Sequence, residues 1–304
     1  MTDTQTAAQK AIERLAESID SGDLYQALQL FKTQHARAKK RGDVAQATEL
    51  ALRGAKLFLE RNQVNSGSEL ARDYIELVTN SSTDAAGKQQ YDNSVTGLLE
   101  IDLQFAREEN MSTEEGLRER KRFLKLAIEY TAAKGPWPQG EPELHLNFAR
   151  MGLKEKNLLE ATKHYVHANK VDEFSDVLVA WASTGPESER DLYLARGVLQ
   201  LLCYENLGDA NLLNVKFRKD CSGLEITPLL RFVDFLLRTL ERDAYPLFQV
   251  LRQKYAPSIA RAQQPNAPNP FDMYLDKIAL VFYGVQPPKS GMGNMMDMLM
   301  KGLF

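Results

Sequence analysis

The sequence predicts an all-α protein, a solenoid of stacked helix pairs with one small β-hairpin in its C-terminal half. Three observations predict it. A motif recurs about every 20 residues in the first 80 positions, which is one helix plus one turn, and two such units make a solenoid-sized helix pair. Later segments carry apolar residues at helical spacing between Gly/Pro breaks. One stretch alternates with period two around a turn.

The repeat begins at Gly22-Asp23-x-x-x-Ala27-x-x-Leu30 and recurs as Gly42-Asp43-x-x-x-Ala47-x-x-Leu50. Gly67 and Leu70 take the Ala and Leu places of a third copy, and Asn157-x-x-x-Ala161-x-x-His164 is a fainter one. The Gly-Asp pair supplies a turn and then a helix N-cap, because the Asp carboxylate can accept free N–H groups of the first turn. The small residue lets a neighbouring helix approach, and the Leu three positions on fills the space beside it.

Ser112-x-x-Glu115 reads as a capping box opening a helix whose apolar stripe is Phe123, Leu124, Ala127 and Ile128. No regular helix should cross Ala132 to Pro142, which holds Gly135, Pro136, Pro138 and Gly140. From Gly140 to Asn169 two helical stretches joined by a short polar connection form a helical hairpin. Thr184-Gly185-Pro186 is a second break. Val215 and Phe217, then Asp220-Cys221-Ser222-Gly223, then Leu224 and Ile226 give the β-hairpin signal, at about 213–227. A lone hairpin needs packing to persist in water, so it would be a docking element; the alternative is a long helix–helix connection. Ala256 to Pro270 carries four prolines and reads as a long loop. Gln286-Pro287-Pro288 sets off a tail, 291–304, with five of the nine methionines. Met295, Met296, Leu299, Met300 and Leu303 make one stripe there. It suits adaptable contacts or an amphipathic segment folding back on the body. Lys301 is its sole basic residue, which is poor for a membrane-surface helix.

Net charge −3 argues against general nucleic-acid affinity. The longest apolar runs, Val177 to Ala182 and Ile278 to Tyr283, fall far short of the ~20 residues of a membrane span, so direct membrane insertion is not expected. The first ten residues contain no signal-peptide apolar region. Cys203 and Cys221 fit neither a disulfide framework nor a zinc pattern, and read as reduced thiols of a cytoplasmic protein.

Chemistry is sparse. There is no Walker loop or Rossmann glycine pattern, and no cofactor is expected. His164-x-x-His167 puts two imidazoles on one helix face with Glu160 a turn before, but zinc would need further ligands, and no spacing demands that His145 supply one. The carboxylate pairs Glu114-Glu115 and Glu187-Glu189 sit at helix starts, where they complement the dipole. No metal site, no catalytic residue and no enzyme activity are expected. The strongest charged feature is Lys32 to Arg41, with Lys32, Arg37, Lys39, Lys40, Arg41 and no acidic residue. Arg37, Lys40 and Arg41 fall together at helical spacing. They could steer an acidic partner, or they could be a solvated helix C-terminus.

Taken in order, Ile19-Asp20-x-Gly22-Asp23-x-Tyr25-x-Ala27, Gly140-Glu141-Pro142-x-Leu144-His145 and Glu160-Ala161-x-x-His164-Tyr165 resemble the fourth-factor family of the guided-entry pathway for tail-anchored membrane proteins, from about Ile12 onward. The resemblance implies a tetratricopeptide-like α-solenoid, a cytoplasmic scaffold and not an enzyme. It implies two halves. Residues 1–135 would bind the homodimeric ATPase that targets tail-anchored proteins. Residues 136–290, with the hairpin, would hold the N-terminal region of a ubiquitin-like adaptor that brings a co-chaperone carrying the client. The family member bridges these partners for client handover and restrains the ATPase. Carried over position by position, Tyr25, Arg37 and Lys40, with Arg41 beside them, fall on the ATPase-facing surface. Glu69, after Ser66-Gly67-Ser68, stands where the family has an acidic residue after a Ser-Gly turn. The adaptor side is a region, Val215, Phe217, Leu224 and Ile226. Two other readings remain: a generic helical-repeat subunit of a larger assembly, and an enzyme on a helical toroid.

Overall fold

The computed structural model describes residues 13, 16–18, 22–81, 87–263 and 267–286, and every regular element among them is helical. They divide into two units between Leu144 and His145, inside one helix. The first unit contains α1 (Leu24–Lys40), α2 (Val44–Glu60), α3 (Val64–Asn80), α4 (Gly87–Phe105), the short α5 (Glu108–Met111) and α6 (Glu114–Lys134). Helix α7 (Pro142–Lys154) begins there. The second unit takes the rest of α7, then α8 (Leu158–Tyr165), α9 (Val171–Ala182), α10 (Arg190–Leu202), α11 (Leu207–Asp220), α12 (Pro228–Glu241), α13 (Tyr245–Lys254), the short α14 (Ala256–Ile259) and α15 (Pro270–Tyr283).

The Gly-Asp motif becomes the joint between helices. Gly42, at φ +74°, donates its N–H to the Lys39 carbonyl, and Asp43 donates to Ala38. Those are the two hydrogen bonds of a Schellman motif, which close the end of α1. Asp43 then caps α2 by accepting the Gln46 N–H at 3.0 Å. One left-handed residue thus ends a helix and its successor starts the next. The same pair of backbone bonds recurs at Asn62-Gln63, Lys156-Asn157, Glu205-Asn206 and Asp243-Ala244. The first residue of each has positive φ, and none is glycine. A left-handed conformation costs a non-glycine residue about 1–2 kcal/mol, so the glycine copies are plain in the sequence, those before Gly67 and Ala161 are fainter, and the joints at Glu205 and Asp243 pass unseen.

Small residues after the turns lie where predicted: Ala27, Ala47 and Ala161 are fully buried, and Ala210, after a joint that the repeat did not show, is too. A Cβ on Gly67 would stand 2.6 Å from Leu59 Cγ, so α2 and α3 pack at a distance that only glycine permits. Leu50 and Leu70 are buried, but Leu30 is 42% exposed and Phe31 takes the inward place, meeting Phe58 edge-on at 5.9 Å. Each fully buried Phe or Leu contributes about 1.5–3 kcal/mol. Helix α2 packs on α1, α3 and α4, while α3 packs on α6. Of the predicted stripe, Phe123, Leu124 and Ala127 are buried and Ile128 is half-buried. Thr113, not Ser112, caps α6, accepting the Gly116 N–H at 3.0 Å. Ser112 instead donates to the Glu109 carbonyl. Within this core Arg120 makes a two-pronged ion pair with Asp102, at 2.8 and 2.9 Å.

In the second unit α10 is central, packing on α9, α11, α12 and α15, with Leu194, Ala195, Val198, Leu199 and Leu202 inaccessible. The expected β-hairpin is absent. Val215 and Phe217 belong to α11, whose buried face is Ala210, Leu213, Asn214 and Phe217. Those spacings of three and four are a helical stripe that includes Phe217 and leaves Val215 on the outer face. Asn206 caps the helix, and Lys216 pairs with Asp220 one turn on. Leu224 and Ile226 lie in the connection to α12, where Thr227 is the N-cap. Thr227 and Arg261 both bond the buried Asp191, and Arg190 donates to the Ser222 carbonyl, so side chains rather than a ladder hold this connection. The expected loop from Ala256 instead opens with α14 and a 3-10 turn, Ala260–Ala262. The Met-rich stripe at Met295 to Leu303 lies outside the described residues.

Candidate protein-docking site

Helix α1 displays the first group of predicted residues. Asp23 caps it, accepting the Gln26 N–H at 3.1 Å, and Tyr25 follows at 75% exposure. Ala27, Phe31, His35 and Ala38 face inward. At about 100° per residue, Lys40 stands opposite that buried stripe with Tyr25 to one side, while Arg37 and Arg41 share the other side. Tyr25 and Lys40 are about 22 Å apart along the axis.

The basic run divides in two. Lys32 Nζ lies 2.8 Å from Glu69 Oε1, and Lys39 Nζ lies 3.5 Å from Glu76 Oε1. Between these rungs His35 Nδ1 is 3.7 Å from Asp73 Oδ2. Burial holds the His35 imidazole below its usual value against the pull of Asp73, and burial raises the Asp73 carboxyl. Lys32, His35 and Lys39 are therefore committed to α3. Arg41 donates to Gln46 Oε1 on α2. Arg37 and Lys40 are exposed and have no partner among the described residues. Charge without an internal partner is available to an external one.

Glu69 is half-exposed on α3, held by Lys32, and Ser66-Gly67-Ser68 is an internal helical stretch rather than a turn. The structure therefore brings Glu69 beside α1 through a pairing that no local motif announces.

In the second unit the four predicted residues separate. Phe217 is fully buried and Leu224 packs against the core, whereas Val215 and Ile226 are each 68% exposed. Leu212, one turn before Val215, is also exposed and was missed; a helical reading of α11 would have put it on Val215's face. A cavity of about 450 Å³ lies between α13 and α15, with Tyr245, Phe248 and Val285 in its wall. Its charged residues neutralise one another, Arg252 bonding Asp276 and Asp272.

Three histidines meet although no spacing required it. His145 Nδ1 and His164 Nδ1 are 2.9 Å apart, so one ring donates and the other accepts. His164 stacks on Phe148, and His167, just beyond the end of α8, sits between His145 and Tyr204. Burial, with the neighbouring His145, takes His167 down to about 3. No group of three His, Cys, Asp or Glu among the described residues could hold a metal ion. Cys203 and Cys221 are free and buried, and burial pushes Cys203 up to about 12. No helix among the described residues is long and apolar enough to cross a membrane.

The family model described as GET4, Golgi to ER traffic protein 4, matches residues 41–304. The chain belongs to the GET4 family. It is 33% identical over 299 residues to the Golgi to ER traffic protein 4 homolog of Dictyostelium discoideum, covering 97% of this chain and 90% of that one. It is 30% identical over 321 residues to Protein GET4 of Arabidopsis thaliana, covering 96% of each. Its fold matches the crystal structure of C. therm. Get4 with a TM-score of 0.74 at 25% identity, over 96% of this chain and 95% of that one.

Proposed function

We propose that this GET4-family chain is a cytoplasmic scaffold in Golgi-to-ER traffic that brings together the parts of a tail-anchored-protein targeting machine. Helix α1 takes the homodimeric targeting ATPase through Tyr25, Arg37, Lys40 and Arg41, with Glu69 as a second contact that regulates the ATPase. The second unit takes the N-terminal region of a ubiquitin-like adaptor at an apolar surface including Val215, Ile226 and Leu212. Through the adaptor a co-chaperone hands its client to the ATPase.

The observation that carries this reading is the division of the α1 cations. Lys32 and Lys39 are committed to α3, while Arg37 and Lys40 are exposed with no partner among the described residues. Such charges set orientation and association rate with an acidic surface.

The test is titration calorimetry of the chain against the ATP-loaded ATPase, with and without Arg37→Glu and Lys40→Glu. Salt-sensitive binding that the reversal weakens by about a hundredfold, consistent with loss of two interfacial charge contacts, is expected. Absence of binding, with and without adaptor, would leave a helical-repeat subunit of some other assembly.

A further inference from the structure

A second row of exposed positive charge lies on α6. Between Arg118 and Lys125 stand five cations, Arg118, Arg120, Lys121, Arg122 and Lys125, against the single acid Glu119. The structure sorts them. Arg120 points inward to Asp102 and, with buried Phe123, Leu124 and Ala127, fixes which side of α6 faces out. Arg118, Arg122 and Lys125 are exposed at spacings of four and three, one row about 10 Å long. Arg118 is 3.6 Å from Glu115 and 3.5 Å from Glu119. Arg122 and Lys125 have no partner among the described residues.

Several cations of this unit are neutralised by neighbouring helices or turns: Lys32 and Lys39 by α3, Arg53 by Glu49, and Lys56 by Glu100. Arg122 and Lys125, like Arg37 and Lys40 of α1, are exposed cations without a partner among the described residues. Helix α6 packs on α3, whose acidic row Glu69, Asp73 and Glu76 is bonded to α1. The basic row offers no exposed large apolar side chain. It therefore lacks both the aromatic platform on which nucleic-acid bases stack and the anchor that enters a lipid surface.

We propose that the Arg118–Arg122–Lys125 row is a docking surface for an acidic protein segment, separate from the α1 surface. The buried Arg120–Asp102 pair holds it rigid, so binding costs little ordering of the helix.

The experiment uses the full chain and a labelled 20-residue poly-glutamate peptide as probe. A carbodiimide, which joins lysine amines to carboxylates, is added, and the amide links are mapped by mass spectrometry. Links at Lys125 are expected, and they persist in Arg37→Glu/Lys40→Glu, which separates this surface from α1. Arg122→Glu/Lys125→Glu weakens peptide binding about tenfold in low salt with an unchanged melting temperature. Should that pair of reversals unfold the chain, Arg122→Gln/Lys125→Gln serves, with about a threefold loss. Absence of a Lys125 link, or unchanged affinity in the charge variants, overturns the proposal. So does tighter binding, through the same residues, of a single-stranded oligonucleotide or of phosphatidylserine vesicles.

Discussion

Lys32 of α1 and Glu69 of α3 form an ion pair of 2.8 Å between two half-exposed side chains. It is the first rung of the Lys32–Glu69, His35–Asp73, Lys39–Glu76 series that ties the candidate docking helix to α3. In water such a pair gains little, because solvent screens it and two long side chains must be ordered. A double-mutant cycle of Lys32→Ala and Glu69→Ala, read by urea unfolding, should give a coupling of about 0.2–1 kcal/mol that fades in 0.5 M salt. A coupling above about 2 kcal/mol would make the rung a structural lock rather than a surface contact.

The Arg120–Asp102 pair should behave in the opposite way. Both side chains are almost inaccessible, so removing one leaves the other buried and charged. Asp102→Ala is expected to destabilise the chain by about 3–5 kcal/mol, while Asp102→Leu with Arg120→Met together lose much less. Urea midpoints of the two variants decide; equal losses would contradict a desolvation origin.

The helix joints predict a gain. Lys156 and Glu205 sit at φ +60° and +59°, in the position that Gly42 fills at φ +74° in the first joint. Both side chains are exposed. Relief of left-handed strain should exceed the entropy glycine adds to the unfolded chain. Lys156→Gly and Glu205→Gly should each raise stability by about 0.5–1 kcal/mol, visible as a higher melting temperature. A lower melting temperature in both would show that the strain is already relieved.

His167 predicts sensitivity to acid. Its value is about 3 in the folded chain against 6.5 when unfolded, so between those values the unfolded state binds more protons. Its contribution is present above pH 6.5 and is lost as pH falls through the window from 6.5 to about 3. From pH 7 to pH 5 the chain should lose roughly 1–2 kcal/mol through this residue. Urea unfolding at both pH values should show a smaller loss in His167→Phe, which keeps a ring between His145 and Tyr204. An unchanged loss would place the acid sensitivity elsewhere.

The GET4 resemblance and the helical repeat were legible because they rest on short-range rules. Gly42-Asp43 announces a left-handed turn and a cap, and Ala47 announces close packing, whatever lies elsewhere in the chain. The same joint at Glu205-Asn206 was illegible, because a glutamate at positive φ gives no local signal and is held there by the packed helices on either side. The β-hairpin reading failed at Val215 and Phe217 for a related reason. Two apolar residues two apart share one face of a strand but stand on opposite sides of a helix, and only the buried set from Ala210 to Phe217 decides for a helix.

By itself the sequence determined the helical class, the first joints and the basic run on which the docking proposal rests. Tertiary structure alone decided which cations of that run stay unpaired. Lys32 and Glu69 are 37 positions apart, as are Lys39 and Glu76, and each cation is neutralised only when α1 is laid beside α3. It decided equally that His145, His164 and His167 share one cluster and that Arg120 turns inward to Asp102, leaving Arg122 and Lys125 on the surface. Caps and turns are satisfied within a few residues of chain, so a sequence displays them. Charge neutralisation depends on which helices become neighbours, and the packing of Phe31, Leu50, Phe58 and Leu70 fixes that.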